Sequence, residues 1–196
     1  MRITTITFAA VFSLAHPVAV DAASPENLAH DFYAWLLSVP GTGSGLPAAK
    51  EREHLAELLS PTLLQLLDSA TVMEKRCIQN NTPGDKPYII EGNILVGNYE
   101  GATEIVVGKA RNEGKTAIVK SRLFSVDSRF PKSHPYRVHT WTDELVMNQY
   151  RDRWVIANIQ FETGNSLSKT LDEYLRNGAK WCKTPTTSKL ESPGSE

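Results

Sequence analysis

The chain has 196 residues, of which 41% are hydrophobic and 22% are charged, and its formal net charge is -1. These values fit one ordinary globular domain with a good-sized core and exclude a chain that is disordered throughout. Because the charge is near zero and the Lys and Arg residues are scattered, we set nucleic-acid binding aside.

Residues 1–22 have the anatomy of a signal peptide. Arg2 gives a positive start, residues 3–14 are apolar, and Val20, Asp21 and Ala22 form a small-residue cleavage site. The apolar stretch is shorter than the roughly 20 residues of a membrane-spanning helix. We expect cleavage after Ala22, a periplasmic or secreted location and no stable membrane insertion. A buried first helix is the alternative, which Pro17 disfavours.

Two cysteines, Cys77 and Cys182, enclose most of the mature chain. In an oxidising compartment such a pair in a small domain predicts a disulfide more than a redox or metal site. Two unpaired buried thiols are the alternative.

Helix signals dominate the first half of the mature chain. Ser24, Pro25 and Glu26 provide a cap, a first-turn proline and a first-turn acid, and the helix they begin should end before Pro40. A second helix is predicted over residues 49–59.

A third helix should begin at Ser60-Pro61, which repeats the cap and proline, and should end just before Cys77. The turn-rich residues 80–87 mark the end of the helical part.

Strand signals follow at residues 104–111, 116–126, 137–150 and 153–161, and short turns at residues 112–114 and 151–152 predict antiparallel hairpins. A last helix over residues 166–177 should end at Gly178. The predicted fold class is α+β, with N-terminal helices packed on a curved antiparallel sheet of about four strands and a C-terminal helix. Residues 23–183 form the single domain, and residues 184–196 form a disordered tail.

One face of the last predicted strand changes from apolar to polar side chains along its length. By strict alternation, an apolar face under the helices consists of Val155, Ala157, Ile159 and Phe161. The other face begins with Trp154 and Ile156, which should be covered, and continues with three polar residues that should be accessible: Asn158, Gln160 and Glu162.

No motif in the sequence indicates metal binding, a cofactor or nucleophilic catalysis, so we expect a protein that is not an enzyme and has no cofactor. An isomerase-like site would need a carboxylate base and an oxyanion donor, for which Asp143 or Glu144 with Tyr150 are the candidates. Asp143 and Tyr150 should point to opposite faces of their strand. The binding candidates are Trp141, Tyr150 and Gln160.

Five segments carry a resemblance: FYAWLL (32–37), LSPTLL (59–64), GNIL (92–95), NYEG (98–101) and RWVIANI (153–159). They resemble a family of exported bacterial domains of unknown function, grouped with the nuclear transport factor two-like cone folds. The resemblance covers residues 24–182 and implies a cone-shaped α+β domain. Where relatives often have Pro-Phe, this chain has Ile94-Leu95.

Members of that superfamily include isomerases, dehydratases, binding modules and toxin-immunity proteins, so the fold does not fix an activity. Our main expectation is a non-enzymatic exported binding module for a partner protein or a small apolar ligand. An immunity or inhibitor protein and a small isomerase or hydratase are the alternatives, and formation of a homodimer stays open.

Overall fold

The computed structural model describes residues 24–39 and 45–182. The predicted signal peptide and C-terminal tail lie outside these ranges. The order along the chain is α1 (Pro25–Ser38), α2 (Ala49–Leu58), α3 (Pro61–Gln79), β1 (Glu104–Glu113), β2 (Thr116–Val126), β3 (Val138–Tyr150), β4 (Arg153–Phe161) and α4 (Leu167–Trp181). No helix within the described ranges is long and apolar enough to span a bilayer.

Serine caps begin three of the helices. The hydroxyl of Ser24 accepts a hydrogen bond from the Asn27 amide at 3.2 Å, and that of Ser60 accepts one from the Leu63 amide at 3.2 Å. Ser166 caps α4 in the same way. Each hydroxyl satisfies an amide that has no partner within the helix, so these sequence signals place the helix starts correctly.

The ends of α3 and α4 differ from the prediction. Cys77 lies in the last turn of α3 rather than beyond it, and α4 continues through Gly178 to Trp181. A Cβ at Gly178 would lie 2.6 Å from Cγ of Met73 on α3. Gly178 therefore allows the two helices to approach closely and does not end α4.

The four strands form one antiparallel sheet in the order β1-β2-β3-β4. Arg151 and Asp152 join β3 to β4 with φ angles of 48° and 63°. Two consecutive left-handed residues match the twist that a tight hairpin needs. The predicted α+β class, with helices before the sheet and one helix after it, is confirmed.

A β-bulge in β4 makes the strict alternation predicted for this strand wrong. Asn158 pairs with Val146, but Ile156 pairs with the next residue, Met147, so Ala157 is an extra residue without a partner. A bulge of this kind turns the following side chains to the other face.

The bulge brings Ile156 and Ile159, both fully buried, to the same face of the sheet, which we call the inner face because the helices cover it. Val155 instead pairs with Asn148 on the other, outer face. Gln160 is exposed as expected, while the half-buried Asn158 accepts a hydrogen bond from the Ser168 amide of α4 at 3.1 Å.

The predicted disulfide is confirmed. Cys77 and Cys182 are bonded, their Cα atoms are 4.7 Å apart, and 105 positions separate them in the sequence. The bond ties the last turn of α3 to the end of α4.

We expect the variant with Cys77→Ser and Cys182→Ser to lose about 4 to 5 kcal/mol of unfolding free energy, because a closed loop of about a hundred residues restricts the unfolded chain by that amount. Urea titrations of the oxidised protein and the double variant measure the difference. The reduced wild-type protein is the control and should match the variant. Equal stability of the oxidised and reduced proteins would contradict the expectation.

Candidate functional site

Three polar side chains meet on the inner face of the sheet, surrounded by the core. Asp143 of β3 pairs across the strands with Ser121 of β2, and both are 0% exposed. Tyr33 of α1 is 2% exposed and lies close enough for the Asp143 charge and the Ser121 hydroxyl to act on its phenol group. We call these three residues the inner polar cluster.

The hydrogen bonds of the cluster are incomplete. Oδ2 of Asp143 accepts from the Gly97 amide at 2.7 Å and from the Trp141 indole at 3.3 Å. In contrast, Oδ1 of Asp143, the Ser121 hydroxyl and the Tyr33 hydroxyl have no hydrogen-bond partner in the part of the chain that the structure describes. Buried polar groups in folded proteins are nearly always paired, so three such oxygens in one place require an explanation.

An irregular segment, residues 94–97, lies over the cluster, and we call it the cover segment. Its Ile94, Leu95 and Val96 side chains are 5%, 0% and 2% exposed and belong to the core. A Cβ at Gly97 would lie 2.6 Å from Oδ1 of Asp143. Glycine at this position therefore allows the main chain to approach the carboxyl group closely.

Burial dominates the electrostatics of Asp143. It raises the pKa of the carboxyl group from 3.8 to about 6, and the hydrogen bonds from the Gly97 amide and the Trp141 indole offset only part of the increase. Burial and the nearby Asp143 charge also raise the pKa of Tyr33. Neither effect involves a cation, so an ionised Asp143 is a buried charge without a counterion.

An asparagine could accept the same two hydrogen bonds as Asp143 without carrying a charge. The carboxyl group therefore costs stability at neutral pH, when most of it is ionised. Perturbed carboxyl groups with neighbouring hydroxyls are frequent at functional sites, which makes the inner polar cluster a candidate for function.

A second candidate is an open groove beside the disulfide, with a volume of about 700 Å³. We call it the disulfide groove, and it is lined by Cys77, Asn80, Asn81, Thr82, Asp85, Lys86, Pro87, Tyr88, Ile89, Glu91, Trp181 and Cys182. Trp181 is 76% exposed, which is unusual for the largest side chain.

The wall of the disulfide groove is held by contacts to α4. The Tyr88 ring stacks on the Tyr174 ring with centroids 5.0 Å apart, and the Tyr174 hydroxyl donates to the Tyr88 carbonyl at 3.0 Å. Lys86 and Glu91 form an ion pair at 2.9 Å. The disulfide thus joins two lining residues of the groove, and Tyr88 is held against α4.

The structure does not bring the three binding candidates from the sequence together. Trp141 is 4% exposed and donates to Asp143, so it belongs to the core. Tyr150 lines a small groove with Ser60, and the exposed Gln160 lies on the outer face opposite Glu144. Their roles in binding stay predictions.

The isomerase-type candidates are also separated. Asp143 points to the inner face, while Glu144 and Tyr150 belong to the outer face, as the alternation along β3 predicts. The hydroxyl near Asp143 is that of Tyr33 of α1, for which no motif in the sequence predicts a role at a site. Only the packing of α1 on the sheet shows that the phenol group of Tyr33 lies near the carboxyl group of Asp143.

Among the described residues, no cluster of three or more His, Cys, Asp or Glu side chains could hold a metal ion. Comparison with known proteins gives no match: no family model fits the chain, and no curated protein or solved structure is significantly similar to it. The resemblance to exported cone-fold domains therefore has only the sequence segments as its support.

The raised pKa of Asp143 predicts how stability depends on pH. Because the folded-state pKa is about 6 and the ordinary value is 3.8, the neutral carboxyl group is favoured in the folded protein, and stability falls as the pH rises through this interval. Near pH 7.5 we expect the free energy of unfolding of Asp143→Asn to be about 3 kcal/mol greater than that of the wild type, since one pKa unit corresponds to about 1.4 kcal/mol. Near pH 4 the difference should vanish.

Urea titrations across this pH range measure the difference between the two proteins. Glu144→Gln, a neutralised carboxyl group on the outer face of the same strand, is the control and should follow the wild type. If Asp143→Asn were less stable than the wild type near pH 7.5, the assignment of a destabilising buried charge would be wrong.

Proposed function

We propose that the protein is an exported, non-enzymatic module that binds a partner protein through the disulfide groove. The supporting observation is Trp181, which is 76% exposed at the edge of a groove of about 700 Å³. Tryptophan is the residue type most enriched among the side chains that dominate protein interfaces. A stable monomer surface has little reason to leave it in water.

The helices that carry the disulfide have further exposed apolar residues. Ile78 of α3, next to the disulfide, is 53% exposed, and Val72, further back on α3, is 61% exposed. Val72 lines a shallow apolar groove of about 380 Å³ with Met73 of α3 and Leu175 of α4. Exposed apolar residues in addition to Trp181 are compatible with an interaction surface on this part of the domain.

The chemistry of the disulfide groove fits a peptide segment better than an apolar small molecule. Its lining residues include Asn80 and Asp85, whose polar groups can bond to the main chain or to polar side chains of a partner. The disulfide joins two of the lining residues, Cys77 and Cys182, and so limits their relative movement.

Export is part of the proposal. The disulfide between Cys77 and Cys182 supports an oxidising compartment, and the signal-peptide anatomy of residues 1–22 supports secretion through the inner membrane. The resemblance to exported cone-fold domains agrees with this location. If the partner is a toxin, the protein is an immunity protein, which is the alternative within the same class.

Site-specific crosslinking tests the proposal. A photo-reactive phenylalanine analogue at position 181, introduced into the exported protein in its host cell, should form a discrete crosslink to one partner. The same analogue at position 136 is the control, because Tyr136 is also exposed, at 78%, but lies outside the disulfide groove.

Binding measurements with the purified partner then decide the matter. Trp181→Ala should weaken binding at least about tenfold, since an interface tryptophan commonly contributes 2 kcal/mol or more. Tyr136→Ala should bind like the wild type. A partner that binds both variants equally would show that the disulfide groove is not the binding surface.

One observation favours a second candidate, a small isomerase or hydratase. Asp143 has a pKa of about 6 and lies near the Tyr33 phenol, which is the combination of a base and a donor that proton transfer at carbon requires. The burial of the inner polar cluster weighs against this second candidate. Proton-deuterium exchange at the α-carbons of small ketones, followed by NMR, should be catalysed by the wild type and abolished in Tyr33→Phe if this candidate is right.

A further inference from the structure

We propose that the disulfide groove binds an extended segment of its partner protein by main-chain hydrogen bonds, as an added strand, and that this segment carries a lysine or arginine side chain. The inference rests on the proposed function, because it takes the disulfide groove as the binding surface. Two features of the groove wall support it: the direction of its main-chain groups and its charge.

One wall of the groove is a straight piece of chain, residues 86–91, which we call the groove segment. It contains no turn or bend, and all of its residues except Ile90 line the groove. Pro87 also restricts the residue before it to extended conformations. The groove segment is therefore an extended chain, and it pairs with no strand in the part of the protein that the structure describes.

Alternate residues hold the groove segment to the helices. The Tyr88 carbonyl accepts from the Tyr174 hydroxyl of α4 at 3.0 Å, and the Ile90 amide donates to the carboxyl group of Glu74 of α3 at 3.3 Å. In an extended chain the main-chain groups of successive residues point to opposite sides. Because Tyr88 and Ile90 point to the helices, the main-chain groups of Ile89 between them point away.

The outward main-chain groups of the groove segment are available to a partner. The amide and carbonyl of Ile89, the carbonyl of Pro87 and the amide of Glu91 form no hydrogen bond with any residue of the described ranges. A row of such groups along an extended chain is the template to which a peptide adds as a strand. The groove segment therefore fits an extended partner segment that pairs along it.

The charge of the groove adds a requirement on the partner's side chains. Of the three charged lining residues, Lys86 and Glu91 form an ion pair with each other, which leaves Asp85. The main chain of Asp85 is held, since its amide donates to the Thr82 carbonyl at 3.0 Å and its carbonyl accepts from the Asn81 side chain at 2.6 Å. Its carboxylate pairs with no Lys or Arg side chain among the described residues. A basic side chain of the partner complements it.

Residue-resolved amide exchange tests the main-chain pairing, with the full exported chain and the partner that the crosslink at position 181 identifies. On binding, the amides of Ile89 and Glu91 should become at least about tenfold more protected, because they gain hydrogen bonds. The amides of Tyr88 and Ile90 face the helices and should change by less than about threefold. Equal protection of all four amides, or of none, would overturn the added strand.

Substitutions at position 89 provide a second measurement. Ile89→Pro removes the outward amide and should weaken binding of the same partner at least about tenfold. Ile89→Val keeps the amide and should bind like the wild type. A thermal melt shows whether the free Ile89→Pro protein is folded, and if it is not, the exchange pattern decides. Wild-type affinity in folded Ile89→Pro would contradict the pairing.

Substitution of Asp85 tests the basic side chain. Asp85→Asn should weaken binding at least about threefold at low salt, and the difference should vanish near about 1 M salt, which screens an exposed ion pair. Asp172→Asn is the control, because Asp172 is an exposed carboxylate of α4 outside the groove lining. The partner segment crosslinked to position 181 should contain lysine or arginine. A segment without either, or wild-type binding by Asp85→Asn at low salt, would refute this requirement.

The added strand and the proposed function fail in different ways. If Trp181→Ala binds the partner as tightly as the wild type, the disulfide groove is not the binding surface and both are wrong. If binding depends on Trp181 but the alternating protection is missing, the proposed function stands and the added strand is wrong.

Discussion

The hydrogen bond from the Gly97 amide to Asp143 joins the irregular chain before the sheet to the centre of the sheet itself. It places a carboxyl group with 0% exposure among apolar side chains and places three core residues, Ile94, Leu95 and Val96, over it. The cover segment and Tyr33 of α1 together cover this part of the inner face. Burial raises the pKa of Asp143, and the hydrogen bond from the Gly97 amide offsets part of that increase.

The opposite end of the helical layer is held by a different constraint. The close approach of Gly178 to Met73 and the bond between Cys77 and Cys182 fix α4 along α3. Trp181, in the last turn of α4, is next to Cys182 and lines the disulfide groove. A covalent bond that is insensitive to pH therefore holds the proposed binding surface, whereas a titratable contact holds the cover segment.

Local signals in the sequence were sufficient for most of the fold. Serine followed by proline gives the starts of α1 and α3 because the hydroxyl and the ring act within one turn, and the bounds of β2 and β4 follow from their β-branched runs. The bulge at Ala157 was not predictable, because it depends on how two strands pair and leaves no mark on local composition. Gly178 was misread for a similar reason, since its small size serves a contact with Met73 that lies about a hundred positions away.

The candidate site shows the same division between local and long-range information. Asp143 was named from its residue type, but its donors and neighbours come from positions 33, 97 and 121, which only the packed structure brings together. Stability alone would place a neutral side chain at position 143 and would not leave an indole in water at position 181. The two features that cost stability are opposite in kind: Asp143 is a buried carboxyl group and Trp181 is an exposed apolar ring. They occur in regions that different contacts hold in place. This separation is the reason for treating Asp143 and Trp181 as two independent candidates for function.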